Sequence, residues 1–260
     1  MSDMTLLDWL ALLLFFCGWF GLAFLTNGRL IKSRLSLSRI MAERRRAWIF
    51  NALKRDLRMI DTQILAGLQN GTAFFASTSI IAIGGCFAML GATEKVDLVL
   101  RDLPLFGAGG RAAFELKVCG LIAIFGYSFF KFGWSYRLFN YCTILFGGLP
   151  MHAEVRQDPA AAEDAAETVI AMNVIAAQNF NSGLRAIFMS MGYLGWFLNA
   201  YMFMATTVLI FFVLVHRQFF SNARLAAMLK NPLSAPGQMT ASLQTSPHHA
   251  TDGDSSSGMS

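Results

Sequence analysis

Charged side chains are scarce in this chain, and the scarcity narrows its class at once. Only 14% of the 260 residues are Asp, Glu, Lys or Arg, whereas soluble domains carry about 25%. Hydrophobic residues make up 55% of the chain. They concentrate in four runs, residues 6–25, 72–92, 118–139 and 186–215. This pattern excludes an ordinary soluble domain, because a soluble core helix could account for one such run but not for four.

Histidine and cysteine are also sparse, with four of each. The histidines show no metal-ligand spacing with acidic residues, no glycine-rich phosphate loop occurs, and no nucleophile has a base close in sequence. The cysteines lie in or beside the apolar runs, where they are expected to pack as small apolar residues. The sequence therefore gives no support for an enzyme, a cofactor or a metal site.

Each apolar run is long enough to cross a bilayer, which takes about 20 residues of helix. The sequence predicts an all-α integral membrane bundle of four transmembrane helices, formed by residues 1–230. Residues 231–260 are rich in Pro, Ser, Gly and Thr and predict a disordered tail.

Basic residues concentrate directly after the first run. Residues 28–58 hold ten Lys or Arg against two acidic residues, so the remaining chain sums to −3 within the net charge of +5. Basic segments beside a span normally stay in the cytoplasm, which predicts a multi-pass protein of the cytoplasmic (inner) membrane and not a nucleic-acid-binding protein. With four spans both termini would then lie outside, although Arg217, Arg224 and Lys230 argue against this.

An apolar stripe enters the second run from the basic segment. Its members recur every three or four residues: Ile49, Leu53, Leu57, Ile60, Ile64 and Leu68. We therefore predict one nearly continuous helix over residues 49–90, a long basic cytoplasmic helix that becomes the second span. Its basic face is expected to bind anionic lipid headgroups.

Lys131 is the only charged residue between Lys117 and Arg137, inside the third run. A lone cation at that depth is costly unless it is paired or hydrated. Counting residues from the span ends at 1.5 Å each predicts a polar layer near the midplane. Its members are Lys131, Asn199, Ser77, Thr78, Ser79, Ser128 and Ser135. Such a layer suits an anion or ordered water, while the simpler alternative is that Lys131 extends towards the headgroups.

Apart from this layer, a pair of charged residues is expected at the cytoplasmic edge of the second and third spans. Asp61 and Arg137 reach this edge on adjacent helices, which predicts a salt bridge or, alternatively, the gate of a pore mouth. Gly192 and Gly195 allow close helix packing, either within one bundle or between the subunits of a homo-oligomer.

Two segments resemble a known membrane family. Residues 61–85 (DTQILAGLQNGTAFFASTSIIAIGG) and 115–142 (ELKVCGLIAIFGYSFFKFGWSYRLFNYC) are similar to the family catalogued as domain of unknown function 599, over roughly residues 5–225. The resemblance implies a multi-span membrane protein and supplies no catalytic residues.

Two functions stay open from the sequence, and a lipid-modifying enzyme is a distant third. The polar layer favours permeation of ions or small anionic solutes, which four spans would support better in an oligomer than alone. The basic helix favours a membrane scaffold or lipid-organising protein without catalytic activity.

Overall fold

The structure is a computed structural model that describes residues 5–27, 36–92 and 111–228. Within these residues the chain forms eight helices and no strand, which confirms the predicted all-α fold. They are α1 (Leu6–Asn27), α2 (Leu37–Leu53), α3 (Met59–Gly91), α4 (Arg111–Gly147), α5 (His152–Val155), α6 (Pro159–Leu198), α7 (Ala200–Phe219) and α8 (Asn222–Met228). They belong to one compact unit that ends at Ala227, and the predicted tail lies outside the described residues.

Four described segments are long and apolar enough to cross a membrane, as predicted: α1, α3, α4 and Ala200–Met228, which contains α7 and α8. α1 and α7 have 22 and 20 residues, so each is about as long as the ~30 Å hydrocarbon core of a bilayer. α3 and α4 have 33 and 37 residues and exceed that thickness by about 20–25 Å. The bundle therefore continues beyond the part that α1 and α7 cover, which we call the membrane-length part.

The fourth predicted span, residues 186–215, has the wrong boundaries, because the chain turns back within it. α6 ends at Leu198, and Asn199 lies in extended conformation before α7. The Asn199 side chain accepts a hydrogen bond from the Met202 backbone N–H at 2.8 Å and so caps α7. One residue reverses the chain here, and the hydropathy of the whole run does not reveal it.

Small residues let the two arms of this hairpin pack closely. Gly192 and Gly195 are both buried where α6 meets α7. A methyl group on Gly195 would lie 2.8 Å from the Met202 carbonyl oxygen, and the Thr206 hydroxyl donates to the Gly192 carbonyl at 2.7 Å. These glycines therefore serve packing within one bundle, the first of the two roles that their spacing predicted.

The long helices α1, α3, α4, α6 and α7 alternate in direction, so that α7 runs parallel to α1, and the bundle has two distinct ends. Where α1 begins, the Trp196 indole donates to the Asp8 carboxylate at 2.8 Å, and Lys117 Nζ donates to the Trp196 carbonyl at 2.8 Å. We call this the N-terminal end. At the opposite end, Gln218 donates to the Ser38 hydroxyl at 2.8 Å. We call that the basic end.

The described chain starts at the N-terminal end and finishes at the basic end, where Arg44 of α2 donates to the Ala227 carbonyl at 2.9 Å. This differs from the prediction that both termini share one side. The reason is α6, whose 40 residues run the whole length of the bundle beside α4 and α7. This additional pass brings Arg217 and Arg224 to the same end as the basic segment.

Two large apolar cores fill the bundle at different levels, and a small third cluster is formed by Leu138, Phe139 and Ala176. The first joins α1, α3, α4, α6 and α7 and centres on large aromatic residues such as Phe15, Trp196 and Phe203. The second lies at the basic end, where Ile49, Leu65 and Phe146 meet small residues of α6. The long helices α3, α4 and α6 contribute to both cores and hold the two levels together.

The helix predicted over residues 49–90 is interrupted, because α2 ends at Leu53 and α3 begins at Met59. Arg58 stabilises the turn between them by donating to the carbonyl groups of Leu149 and Pro150, the first at 2.9 Å. α2 consequently folds back against α6. The stripe residues Ile49 and Leu53 pack in the second core, whereas Leu57 is exposed in the turn.

Candidate anion-binding site at the basic end

Lys131 lies near the middle of α4, but towards the basic end of the part of the bundle that α1 and α7 cover. It is 20 residues beyond Arg111 on α4, about 30 Å along the helix. Its Nζ donates to the Asn179 side-chain oxygen at 3.2 Å and lies 5.7 Å from the centre of the Tyr127 ring. Asn181 follows Asn179 by half a turn of α6 and lines a cavity with residues of the last turns of α1 and α7. Asn179 and Lys131 are thus close to the level at which α1 and α7 end. Lys131 therefore lies near the boundary of the membrane-length part.

The hydroxyl groups predicted for the polar layer bond mainly to backbone. Ser79 and Ser128 are buried and donate to carbonyl groups of their own helices at 2.9 and 3.0 Å. Ser135 donates across the bundle to the Ala176 carbonyl of α6 at 2.8 Å. Ser77 and Thr78 lie on the exposed face of α3. These groups support the helices locally and leave Lys131 with Asn179 as its hydrogen-bond acceptor.

Asn199, the remaining predicted member of the layer, lies at the N-terminal end as the cap of α7. Counting residues from position 186 placed Asn199 at the depth of Lys131, because residues 186–215 were taken as one straight helix. The chain instead turns at Asn199. The structure therefore does not bring Asn199 and Lys131 together.

Asp61 and Arg137 each form hydrogen bonds with other residues. The Asp61 carboxylate is fully buried and accepts hydrogen bonds from the Trp48 indole at 2.7 Å and from Arg55 at 2.6 Å. Arg137 donates to the Tyr141 hydroxyl one turn further along α4 at 2.6 Å. The predicted pair is thus replaced, because the break between α2 and α3 places Arg55 beside Asp61.

Arg185 is a functional candidate that the sequence analysis missed. It is half-buried on α6 and donates to the Ser182 hydroxyl at 2.8 Å, one turn of the helix from the Asn179 that binds Lys131. The signal was present in the sequence, since Arg185 is the only charged residue between Glu167 and Arg217. It fell one residue outside the span predicted to start at position 186.

A cavity of about 510 Å³ opens at the basic end between α1, α2, α6 and α7. Its lining includes three arginines, Arg39, Arg45 and Arg217, and no acidic residue. We call it the basic pocket. Uncharged polar groups complete it, namely Thr26, Ser38, Gln178, Asn181 and Gln218. Such a lining offers hydrogen-bond donors and positive charge to an anion.

Two arginines of the basic pocket are held in place by their neighbours. Arg45 donates to the Asn173 side chain, and burial lowers the pKa of its guanidinium below the usual value. The Arg217 guanidinium lies 4.8 Å from the centre of the Phe188 ring. An arginine stays charged under these conditions, so the cost of its burial is reduced when an anion binds beside it.

A smaller cavity of about 40 Å³ continues from the basic pocket towards the membrane-length part. The two share Thr26, Ser38, Asn181, Arg217 and Gln218, and the smaller one reaches Arg185. Arginine side chains bind phosphate and carboxylate groups through paired N–H donors. The arrangement can therefore bind an anion at the edge of the membrane-length part.

Comparisons with known proteins identify a family and no individual relative. No curated protein and no solved structure matches the chain. The family described as protein of unknown function, DUF599, matches residues 10–223. That match covers most of the 260 residues and agrees with the resemblance seen in the two segments quoted above. The chain therefore belongs to the DUF599 family.

Proposed function

We propose that this protein binds anionic lipid headgroups at the basic end of its bundle and so organises lipid around itself. The observation that carries the proposal is the basic pocket, in which Arg39, Arg45 and Arg217 meet without an acidic lining residue. Two membrane-length helices, α1 and α7, end beside it. Headgroups lie at that level, just outside the hydrocarbon core, and anionic headgroups attract basic side chains there.

The composition of the pocket favours a lipid over a free anion. Its polar side is formed by the arginines and amides, whereas another part of the wall is apolar, with Leu37, Met41 and Val174 among the lining residues. A phosphate group would lie against the guanidinium groups, and the glycerol and upper acyl carbons would lie against the apolar wall. A free inorganic anion would use only the first of these surfaces.

The orientation follows from the same charges. The basic end carries the arginines of α2 together with Arg58, Arg217 and Arg224. Basic residues beside spans are retained in the cytoplasm. We therefore place the basic end in the cytoplasm and α6 as an additional crossing of the membrane, whose second half is covered by α4 and α7.

Calorimetric titration of the purified, detergent-solubilised chain with short-chain phosphatidylglycerol, and with short-chain phosphatidylcholine as the comparison lipid, tests the proposal. We expect tighter binding of the anionic lipid. The triple variant Arg39→Gln, Arg45→Gln, Arg217→Gln should bind it at least about tenfold more weakly, because hydrogen bonds between charged groups contribute about 1.5–3 kcal/mol each. Equal binding of both lipids by the native protein would overturn the proposal.

Arg156→Gln is the matched control for this titration. Arg156 is exposed on the segment between α5 and α6 at the same end of the bundle and does not line the pocket. Its substitution should leave the affinity unchanged. A loss as large as that of the triple variant would show that only net charge matters, which contradicts a built site.

Permeation of small anions is the second candidate, because Lys131 and Arg185 place two cations within the helices of the bundle. Towards the N-terminal end, however, the interior is filled by Phe15, Trp196 and Phe203, each at most 2% exposed. A path through one chain would have to cross this aromatic core, so permeation would need a path between the subunits of a homo-oligomer.

Liposome flux of chloride and acetate separates the two candidates. Flux above that of empty liposomes, abolished by Lys131→Met in a variant that still folds, would support permeation. No flux from a protein that binds anionic lipid would support the lipid-organising function alone.

A further inference from the structure

A long apolar groove lies on the side of the bundle, separate from the basic pocket. It has a volume of about 530 Å³ and runs between α1 and α4, with Tyr193 and Trp196 of α6 at its floor. On α4 it extends from Leu116 to Tyr127, which corresponds to about 16 Å. That length is roughly half of the ~30 Å hydrocarbon core, or one leaflet.

The floor of the groove depends on a glycine. Gly120 lines the groove directly above Tyr193, and a methyl group at this position would overlap the tyrosine hydroxyl. The groove walls expose aromatic side chains that this chain leaves uncovered, including Trp9, Phe16 and Phe20 at 61%, 52% and 67% exposure. The groove is therefore open sideways, towards the lipid that surrounds a membrane protein.

The two mouths of the groove differ in charge. At the N-terminal mouth, Lys117 is balanced by Asp8 and donates to the Trp196 carbonyl. At the other mouth, Tyr127 is the last lining residue of α4. The Lys131 ammonium lies 5.7 Å from the centre of its ring, and Arg185 lies on the neighbouring helix α6. Within the described part of the chain, no acidic residue pairs with either of these two cations.

The two cations are positioned by one helix. Asn179 accepts from Lys131, and Ser182 accepts from Arg185. The two acceptors are three residues apart on α6 and thus lie on one face of it. Both cations are consequently bound by neighbouring turns of α6, half-buried and with further donors to offer.

We propose that the groove holds one acyl chain of a membrane lipid whose anionic phosphate group binds Lys131 and Arg185. The apolar walls match the chain, and the pair of cations without acidic partners selects the anionic head. Arg185 also lines the small cavity beside the basic pocket, but neither Lys131 nor Arg185 lines the basic pocket itself. The triple variant of that pocket therefore tests the two sites separately.

Native mass spectrometry of the full chain in phosphatidylcholine nanodiscs, with one added probe at a time, tests the site. The probes are lysophosphatidic acid, a monoacylglycerol of the same chain length and inorganic phosphate. We expect one lysophosphatidic acid to be retained per chain, with at least about tenfold less of either other probe. Equal retention of the monoacylglycerol would overturn the role of the cations, and equal retention of phosphate would overturn the role of the groove.

Variants locate the bound lipid. Lys131→Met with Arg185→Gln should reduce retention at least about tenfold. Ala123→Phe, which fills the groove from its α4 wall, should do the same without a change of charge. Two controls should retain the lipid: Ala205→Phe, at an exposed position of α7, and Arg137→Gln, an exposed cation of α4.

Three other results would overturn the site. Retention that survives the double variant and Ala123→Phe would place the lipid elsewhere. Loss in Lys117→Met with retention in the double variant would place the head at the N-terminal mouth. A dimer that Ala123→Phe dissociates would show that a second copy of the chain covers the groove.

Two controls complete the experiment. The triple variant of the basic pocket should retain the lipid. Thermal unfolding, followed by circular dichroism of the helices, establishes that each variant is folded.

Discussion

Asp61 connects three segments through one carboxylate. One of its oxygens accepts from both Trp48 and Arg55, and the side chain is fully buried. Its second oxygen is buried without a hydrogen-bond partner among the described residues. A buried carboxylate is costly unless its partners are in place, so this residue favours the arrangement in which α2 folds back onto the bundle.

Asp61→Asn tests this role. The amide keeps the shape but removes the negative charge that Arg55 and Trp48 bind, so we expect a loss of about 1–3 kcal/mol in stability. Hydrogen exchange should show faster opening of α2, and the melting temperature should fall. Asp56→Asn, at an exposed position of the same turn, is the control and should change neither. Unchanged exchange in α2 for Asp61→Asn would contradict the proposed connection.

The hairpin of α6 and α7 shows how element packing depends on small residues. Where the two helices approach, Gly195 faces the backbone at Met202 and Gly192 faces the backbone at Thr206 and Thr207. Backbones that lie so close exclude a side chain at these positions. The hairpin therefore depends on glycine as much as on the Asn199 cap.

Gly195→Ala should destabilise the bundle by about 1–3 kcal/mol, because its methyl group would displace α7. Gly126→Ala in α4 is the matched control, since nothing lies within 4 Å of a methyl group there. It should be neutral or slightly stabilising, as alanine favours helix by up to about 1 kcal/mol. Thermal unfolding in detergent measures both, and equal melting temperatures would contradict close packing at Gly195.

At the scale of the whole molecule, the extra pass of α6 decides at which end of the bundle the described part of the chain finishes. α1 starts at the N-terminal end, and α8 lies at the basic end beside α2. A four-helix arrangement would have returned the chain to the end at which it began. The observed arrangement instead collects the basic residues of α2, α7 and α8 at one end, as a positive-inside orientation requires.

Reporter fusions that are active on only one side of the membrane test this topology. We expect a reporter joined after Met228 to share its side with a reporter inserted at residues 28–35. A reporter at the amino terminus should lie on the opposite side, together with one inserted at residues 93–110. Amino- and carboxyl-terminal reporters active on the same side would contradict α6 as a membrane crossing.

The sequence by itself determined the class of the protein. The all-α fold, four segments of membrane-spanning length and the isolation of Lys131 follow from composition and from short-range hydropathy, and the family follows from the resemblance of the two quoted segments. These properties are local, because a helix of about 20 apolar residues is favoured in a bilayer whatever its neighbours are.

Only the tertiary structure decided the partners and the path of the chain. The turns at Asn199 and at residues 54–58 require few residues, and the apolar pattern continues through both of them. They determine that Asp61 binds Arg55 in place of Arg137, and that Asn199 lies at the other end from Lys131. The pairing of Lys131 with Asn179 depends on α4 and α6 packing against each other. Residues about 50 positions apart meet only through that packing, which the hydropathy of either helix alone does not specify.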